Sequence, residues 1–160
     1  MKTIVLPFET QALLGVNRKI IISWKDFKSW QDSGTAITST TAQAIWPENT
    51  IGAVTKTFKA GTRLSNFLVN LTVAFTGATL SAFVLGDGTT ANKYATTFDA
   101  AGAVAWKAVG VATPVLLAAA GYIAMTATSD GPTNLTAGEI EIYFKEEDLT
   151  VLPMVQQPGY

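Results

Sequence analysis

The residues best placed by type and spacing to do chemistry are Gly86, Asp87 and Gly88, in the run Val84-Leu85-Gly86-Asp87-Gly88-Thr89-Thr90. Glycines around a carboxylate can turn backbone N–H groups toward a phosphate, or offer the acid to a metal ion. The surrounding residues argue against both. A P-loop needs Gly-x4-Gly-Lys-Ser/Thr, and a dinucleotide fingerprint needs Gly-x-Gly-x2-Gly opening a helix. Here position 91 is alanine, and the flanking runs read as strands. A calcium loop needs acids at alternate positions, yet the next acid after Asp87 is Asp99. Asp-Gly between alternating apolar runs is a strong hairpin signal, because glycine accepts positive φ and aspartate tolerates it. We therefore read Gly86, Asp87 and Gly88 as a hairpin turn.

Other candidates weaken in the same way. Glu146, Glu147 and Asp148 are consecutive, and consecutive acids on an extended chain do not converge on one cation. Glu139 and Glu141 lie roughly 7 Å apart on one strand face, a spacing compatible with a glycosidase pair. Their even alternation with Ile140 and Ile142 is also what a solvated face looks like. The chain has no His and no Cys, which removes the commonest general base, the commonest metal ligand and the thiol nucleophile. No nucleophile–base pairing stands out. The expectation is no enzyme, no cofactor and no metal.

Composition narrows the class further. A chain of 160 residues can bury one substantial core. Its net charge of −1 supplies no basic stripe for nucleic acid. Charged residues make up 14%, against about 25% in an average soluble domain. A surface so short of charge fits a protein that faces other subunits. Residues 1–9 do not read as a signal peptide, because the apolar run is short and broken by Pro7. The uncharged run from Val109 to Met125 falls short of the ~20 residues of a spanning helix and contains Pro114. A buried strand pair explains it better, so no membrane partner is expected.

The elements that must position these residues are mostly strands. Ser65 to Thr76 alternates strictly, with Phe67, Val69, Leu71, Val73 and Phe75 on one face. Thr79 to Leu85 reads as the returning strand, with Leu80, Ala82 and Val84 as its apolar face. Further strands are expected at Arg18–Trp24, Thr35–Trp46, Ile51–Lys59, Lys93–Phe98 and Val104–Val111. Pro114–Thr128 suits one long strand or two short ones. Glu139–Lys145 places Ile140, Ile142 and Phe144 inward, and Glu139, Glu141, Tyr143 and Lys145 outward. Ser23 to Gln31 carries Trp24, Phe27 and Trp30 at helical spacing and reads as an aromatic plug under a sheet. Many short strands between Gly, Asn and Asp turns argue an all-β sandwich or barrel. Residues 1–16 lack strong alternation, and residues 150–160 carry two prolines, so both ends read as arms.

Three stretches carry a family resemblance. The run from Phe58 to Ala103, FKAGTRLSNFLVNLTVAFTGATLSAFVLGDGTTANKYATTFDAAGA, resembles small virion proteins of tailed bacteriophages, in which an Ala-Gly-Thr turn leads into a long strand and a Gly-Asp-Gly-Thr hairpin. PTNLTAGEIEIYFKEED is similar to their closing strand, and IIISWKDF to their opening one. The chain departs from the pattern in its N-terminal extension, in the stretch around Ala118-Ala119-Ala120, and in its tail. The resemblance implies an antiparallel, jelly-roll-like β-sandwich that decorates or cements a capsid or forms a head-fibre base, commonly as a trimer.

These readings combine into one expectation. Residues 17–149 form the sandwich, 1–16 an N-terminal arm and 150–160 a C-terminal tail. The protein is made in the host cytoplasm and sits on the capsid surface of the virion, where it bridges the major capsid protein or other virion subunits. Pro7 and Phe8 in the arm, and Pro153, Met154 and Tyr160 in the tail, are the expected interface residues. The alternative is a carbohydrate- or receptor-binding module of a tail or fibre, using exposed aromatics among Trp46, Tyr94 and Trp106.

Overall fold

A computed structural model describes residues 1–34, 42–47, 56–78, 80–99, 102–107, 109, 114–129 and 134–151. Among the described residues the chain is mostly β, with two antiparallel sheets and two α-helices. In chain order the elements are β1 (Lys2–Val5), α1 (Phe8–Leu14), β2 (Arg18–Ser23), α2 (Trp24–Asp32), β3 (Gln43–Trp46), β4 (Thr62–Thr76), β5 (Leu80–Gly86), β6 (Ala95–Phe98), β7 (Ala105–Lys107), β8 (Val115–Leu116), β9 (Ile123–Ser129) and β10 (Ala137–Asp148). The first sheet runs β1-β2-β10-β4-β7, with β8 also paired to β4; the second runs β3-β9-β5-β6. The run from 109 to 125 contributes β8 and part of β9, and among the described residues no helix is long and apolar enough to cross a membrane.

One core joins the two sheets, as in an all-β sandwich. Ile20, Ile22, Val69, Leu71, Ile140, Ile142 and Phe144 from the first sheet meet Phe83, Leu85, Ile123 and Met125 from the second. Rings cross the gap: Phe67 stacks on Tyr94 with centroids 5.6 Å apart, and Trp46 meets Phe144 at 6.0 Å. Helix α2 closes one side, with Phe27 and Trp30 buried as the plug reading required.

The long strand β4 departs from strict alternation. Asn66 takes a left-handed conformation (φ 55), and the register slips there by one residue between Tyr143↔Leu68 and Lys145↔Ser65. That bulge flips the strand's parity, so Leu64 and Phe67 both face the core. Two more slips between Leu71 and Thr76 turn Val73, expected inside, out to 44% exposure and bring Phe75 back in. In β5 the core face is Phe83 and Leu85, not the face containing Val84, which is half-buried. A slip against β9 between Ser81 and Val84 accompanies this change.

Residues 1–16, expected as an arm outside the body, are built into it. β1 is the edge strand beside β2, and the terminal ammonium of Met1 pairs with Asp26 of α2. Leu6 and Val16 are buried with Tyr143, which was expected to point outward into water. Tyr143 does lie on the outer face, but the N-terminal segment covers it. At the other end Leu149–Val151 form a 3₁₀ turn, and residues 152–160, with Pro153, Met154 and Tyr160, lie outside the described residues. So do residues 35–41 and 51–55 of two expected strands; of the second, Phe58 forms an isolated bridge to Gly121.

Candidate functional site

The Gly-Asp-Gly turn does join two paired strands, through an eight-residue loop, 87–94, rather than a tight two-residue corner. Asp87 organises this loop from its own side chain. Oδ1 accepts the backbone N–H groups of Thr89 (3.0 Å) and Thr90 (2.7 Å), and Oδ2 accepts the Lys93 ammonium at 2.6 Å. Gly88 sits at φ 84 with the Tyr122 hydroxyl against it, so that a Cβ there would come within 2.1 Å of that oxygen. The loop and residues 116–122 together wall a cleft of about 440 Å³.

The electrostatics of this cleft are those of a brace. Desolvation raises the Asp87 carboxyl, but Lys93 and the two N–H groups outweigh it and hold the group below the ordinary aspartate range. Burial, then the charge of Asp87, pushes the Tyr94 phenol far up. Asp87 thus stays ionised and Tyr94 protonated through neutral pH. We expect Asp87→Ala to cost about 1 kcal/mol at pH 7, the size of a lost side-chain-to-backbone cap. Because the folded pKa is depressed, that stability is present above the ordinary aspartate pKa and vanishes as pH falls through the lower folded value. Urea titrations of both proteins should therefore converge toward pH 2; a constant difference from pH 7 to pH 2 would contradict the assignment.

The acids at the end of β10 diverge. Glu146 accepts Arg18 at 2.7 Å, Glu147 pairs with Arg63 (2.9 Å) and Lys145 (2.7 Å), and Asp148 accepts the backbone N–H of Thr150 at 3.0 Å. Among the described residues, no cluster of three or more acids is placed to hold a metal ion. Glu139 takes the Thr72 hydroxyl at 2.9 Å, while Glu141 is held by Lys19 and Tyr143.

The N-terminal surface is built differently. Asn17 imitates a strand residue beside β10, accepting the Glu146 N–H and donating to the Glu146 carbonyl, both at 2.8 Å. Gly15 ends α1 in a left-handed conformation (φ 65), and the Asn66 amide donates to its carbonyl at 2.9 Å. The β4 bulge thus anchors the helix. None of the α1 side chains is buried: Phe8 is 81% and Leu13 83% exposed. Pro7 is also exposed, and so is Val5 at the end of β1. Phe8, Gln11 and Ala12 form one wall of a groove completed by Gly15–Asn17 and Lys145. Leu13 and Val5 are not legible in the sequence, because a seven-residue helix and a four-residue edge strand are too short to show a periodic burial pattern.

The three aromatics of the carbohydrate alternative part company. Tyr94 is fully buried, Trp46 is half-buried against Phe144, and Trp106 is 54% exposed. No family model matches this chain. No curated protein and no solved structure matches it either.

Proposed function

We propose that this protein is a non-enzymatic structural subunit of a virion, a jelly-roll-like sandwich that decorates or cements the capsid by bridging neighbouring subunits, most naturally as a trimer. The strand order supports the jelly-roll reading. β2 pairs with β10, β3 with β9, β4 with β7, and β5 with β6. With β1 and β8 set aside as additions to the first sheet, that nesting, outermost pair to central hairpin, is the pattern of a folded antiparallel ribbon wound into two sheets, an architecture shared by capsid and lectin domains. Fold alone does not assign function. What carries the assembly role is the exposure of Phe8 and Leu13 on α1, a helix whose Leu14 is half-buried against the Leu6–Val16–Tyr143 cluster, just after β1, the edge strand of its sheet among the described residues.

Removing residues 1–16 is too blunt a test, because it takes away β1 and the Leu6–Val16 packing as well. The double substitution Phe8→Asp with Leu13→Asp leaves the interior alone. Burying both side chains is worth about 3–5 kcal/mol per contact, so occupancy on shells lacking this protein should fall at least tenfold while the melting temperature holds. Wild-type occupancy by the variant, read by electron microscopy, would overturn the role of this surface.

A further inference from the structure

The outer face of the first sheet carries side chains that the assembly role leaves unused. Register makes Glu141 of β10, Asn70 of β4 and Trp106 of β7 direct cross-strand neighbours. Lys19 of β2 and Tyr143 of β10 stand opposite each other in the next row. The Glu141 carboxylate is gripped from several sides: Lys19 Nζ lies 2.5 Å from Oε1, the Tyr143 hydroxyl donates to Oε2 at 2.6 Å, and the Asn70 side chain adds a hydrogen bond. The Trp106 indole leans on the buried Tyr143 ring, with centroids 5.4 Å apart and planes 39° apart. It is braced beneath and open above.

The chemistry left over defines a ligand. An ammonium has three donors, and a primary amide that donates through its nitrogen keeps its carbonyl as an acceptor. Asn70, directly opposite Trp106, therefore keeps an acceptor beside the indole, while Lys19, already bonded to Glu141 and Tyr143, keeps one N–H on a side chain that is 18% exposed. The charges of Lys19 and Glu141 cancel, so the patch favours neither an anion nor a cation. A hexopyranose ring matches both halves, with an apolar C–H face for the indole and a rim of hydroxyls that donate and accept. All five side chains sit on strands rather than loops, which fixes their spacing before a ligand arrives.

We propose that Trp106, Asn70, Glu141 and Lys19 form a platform for one neutral sugar ring of a polysaccharide, with Tyr143 as the positioning residue beneath. The site does not depend on the assembly role, and the test uses the isolated protein. Short neutral oligosaccharides of glucose, galactose and mannose are screened on an array, and those retained are titrated by tryptophan fluorescence. At least one should bind with a dissociation constant of about 1 mM or below and should shield a tryptophan from acrylamide. Trp106→Ala should weaken it at least tenfold and Asn70→Ala severalfold, while Trp106→Tyr keeps most of the binding; all three variants should retain the wild-type circular dichroism. The proposal is overturned if no saccharide is retained or perturbs fluorescence at tens of millimolar. It is equally overturned if Trp106→Ala binds like wild type, or if that variant instead dissociates an oligomer, which would make the face a subunit contact.

Discussion

Gly138→Ala is expected to lower the unfolding free energy by about 2–6 kcal/mol, from backbone strain of about 1–3 and overpacking of about 1–3. That is a large share of the 5–15 kcal/mol typical of a domain. Gly138 lies near the start of β10 at φ 136, a conformation L residues rarely adopt. A Cβ there would stand 2.1 Å from Phe75 Cδ1 and 2.4 Å from Cγ. The Phe75 ring has nowhere to go, because it is buried with Phe27 at 5.4 Å and Phe83 at 6.1 Å. The glycine also marks the slip at which Ala137↔Thr76 gives way to Glu139↔Val73. Urea denaturation at neutral pH measures the loss. Phe75→Leu in the alanine background should restore part of it, since a smaller, flexible side chain relieves the clash but not the strain. A wild-type midpoint for Gly138→Ala would mean that position 138 needs neither the positive φ nor the close approach to Phe75.

The same slips explain which parts of the fold were legible in the sequence. Ile140, Ile142 and Phe144 were readable as core because β10 keeps regular alternation between Ile140 and Phe144. Val73 was not, because a bulge belongs to a pair of strands and leaves no mark in one of them. The edge strand β1 escaped notice for a related reason: it has four residues and one neighbour, so little burial pattern is imposed on it. The Gly-Asp-Gly turn was legible because its bonds are local, from Asp87 to Thr89, Thr90 and Lys93. The cleft beside it was not, since Tyr122 arrives from a distant strand end. Trp106 was named from its type alone. Its company of Asn70, Glu141 and Lys19 is fixed only by register across four strands.

Phe27→Ala is the second substitution with a large expected effect, and it separates two meanings of the Trp24-Phe27-Trp30 spacing. Were these aromatics a ligand platform, truncating the middle one would leave the fold nearly untouched. Instead Phe27 has no exposed surface, and its ring makes edge contacts with Trp30 at 5.2 Å, Phe75 at 5.4 Å and Phe83 at 5.7 Å. Phe75 belongs to the first sheet and Phe83 to the second, so one side chain of α2 ties both together. The helix is set in place by its own start: the Ser23 N–H donates to the Asp26 carboxylate at 2.8 Å, and the Met1 ammonium pairs with the same acid. With the helix held, the cavity left by alanine cannot close easily. The cost should lie in the range of about 3–5 kcal/mol for Phe→Ala in a core, toward its upper end because each edge-to-face pair is worth about 0.5–1.5 kcal/mol beyond burial. Chemical denaturation measures it, and Phe27→Leu should lose less than half as much. A loss under about 1 kcal/mol for alanine, within the range of a surface change, would mean that α2 does not join the two sheets.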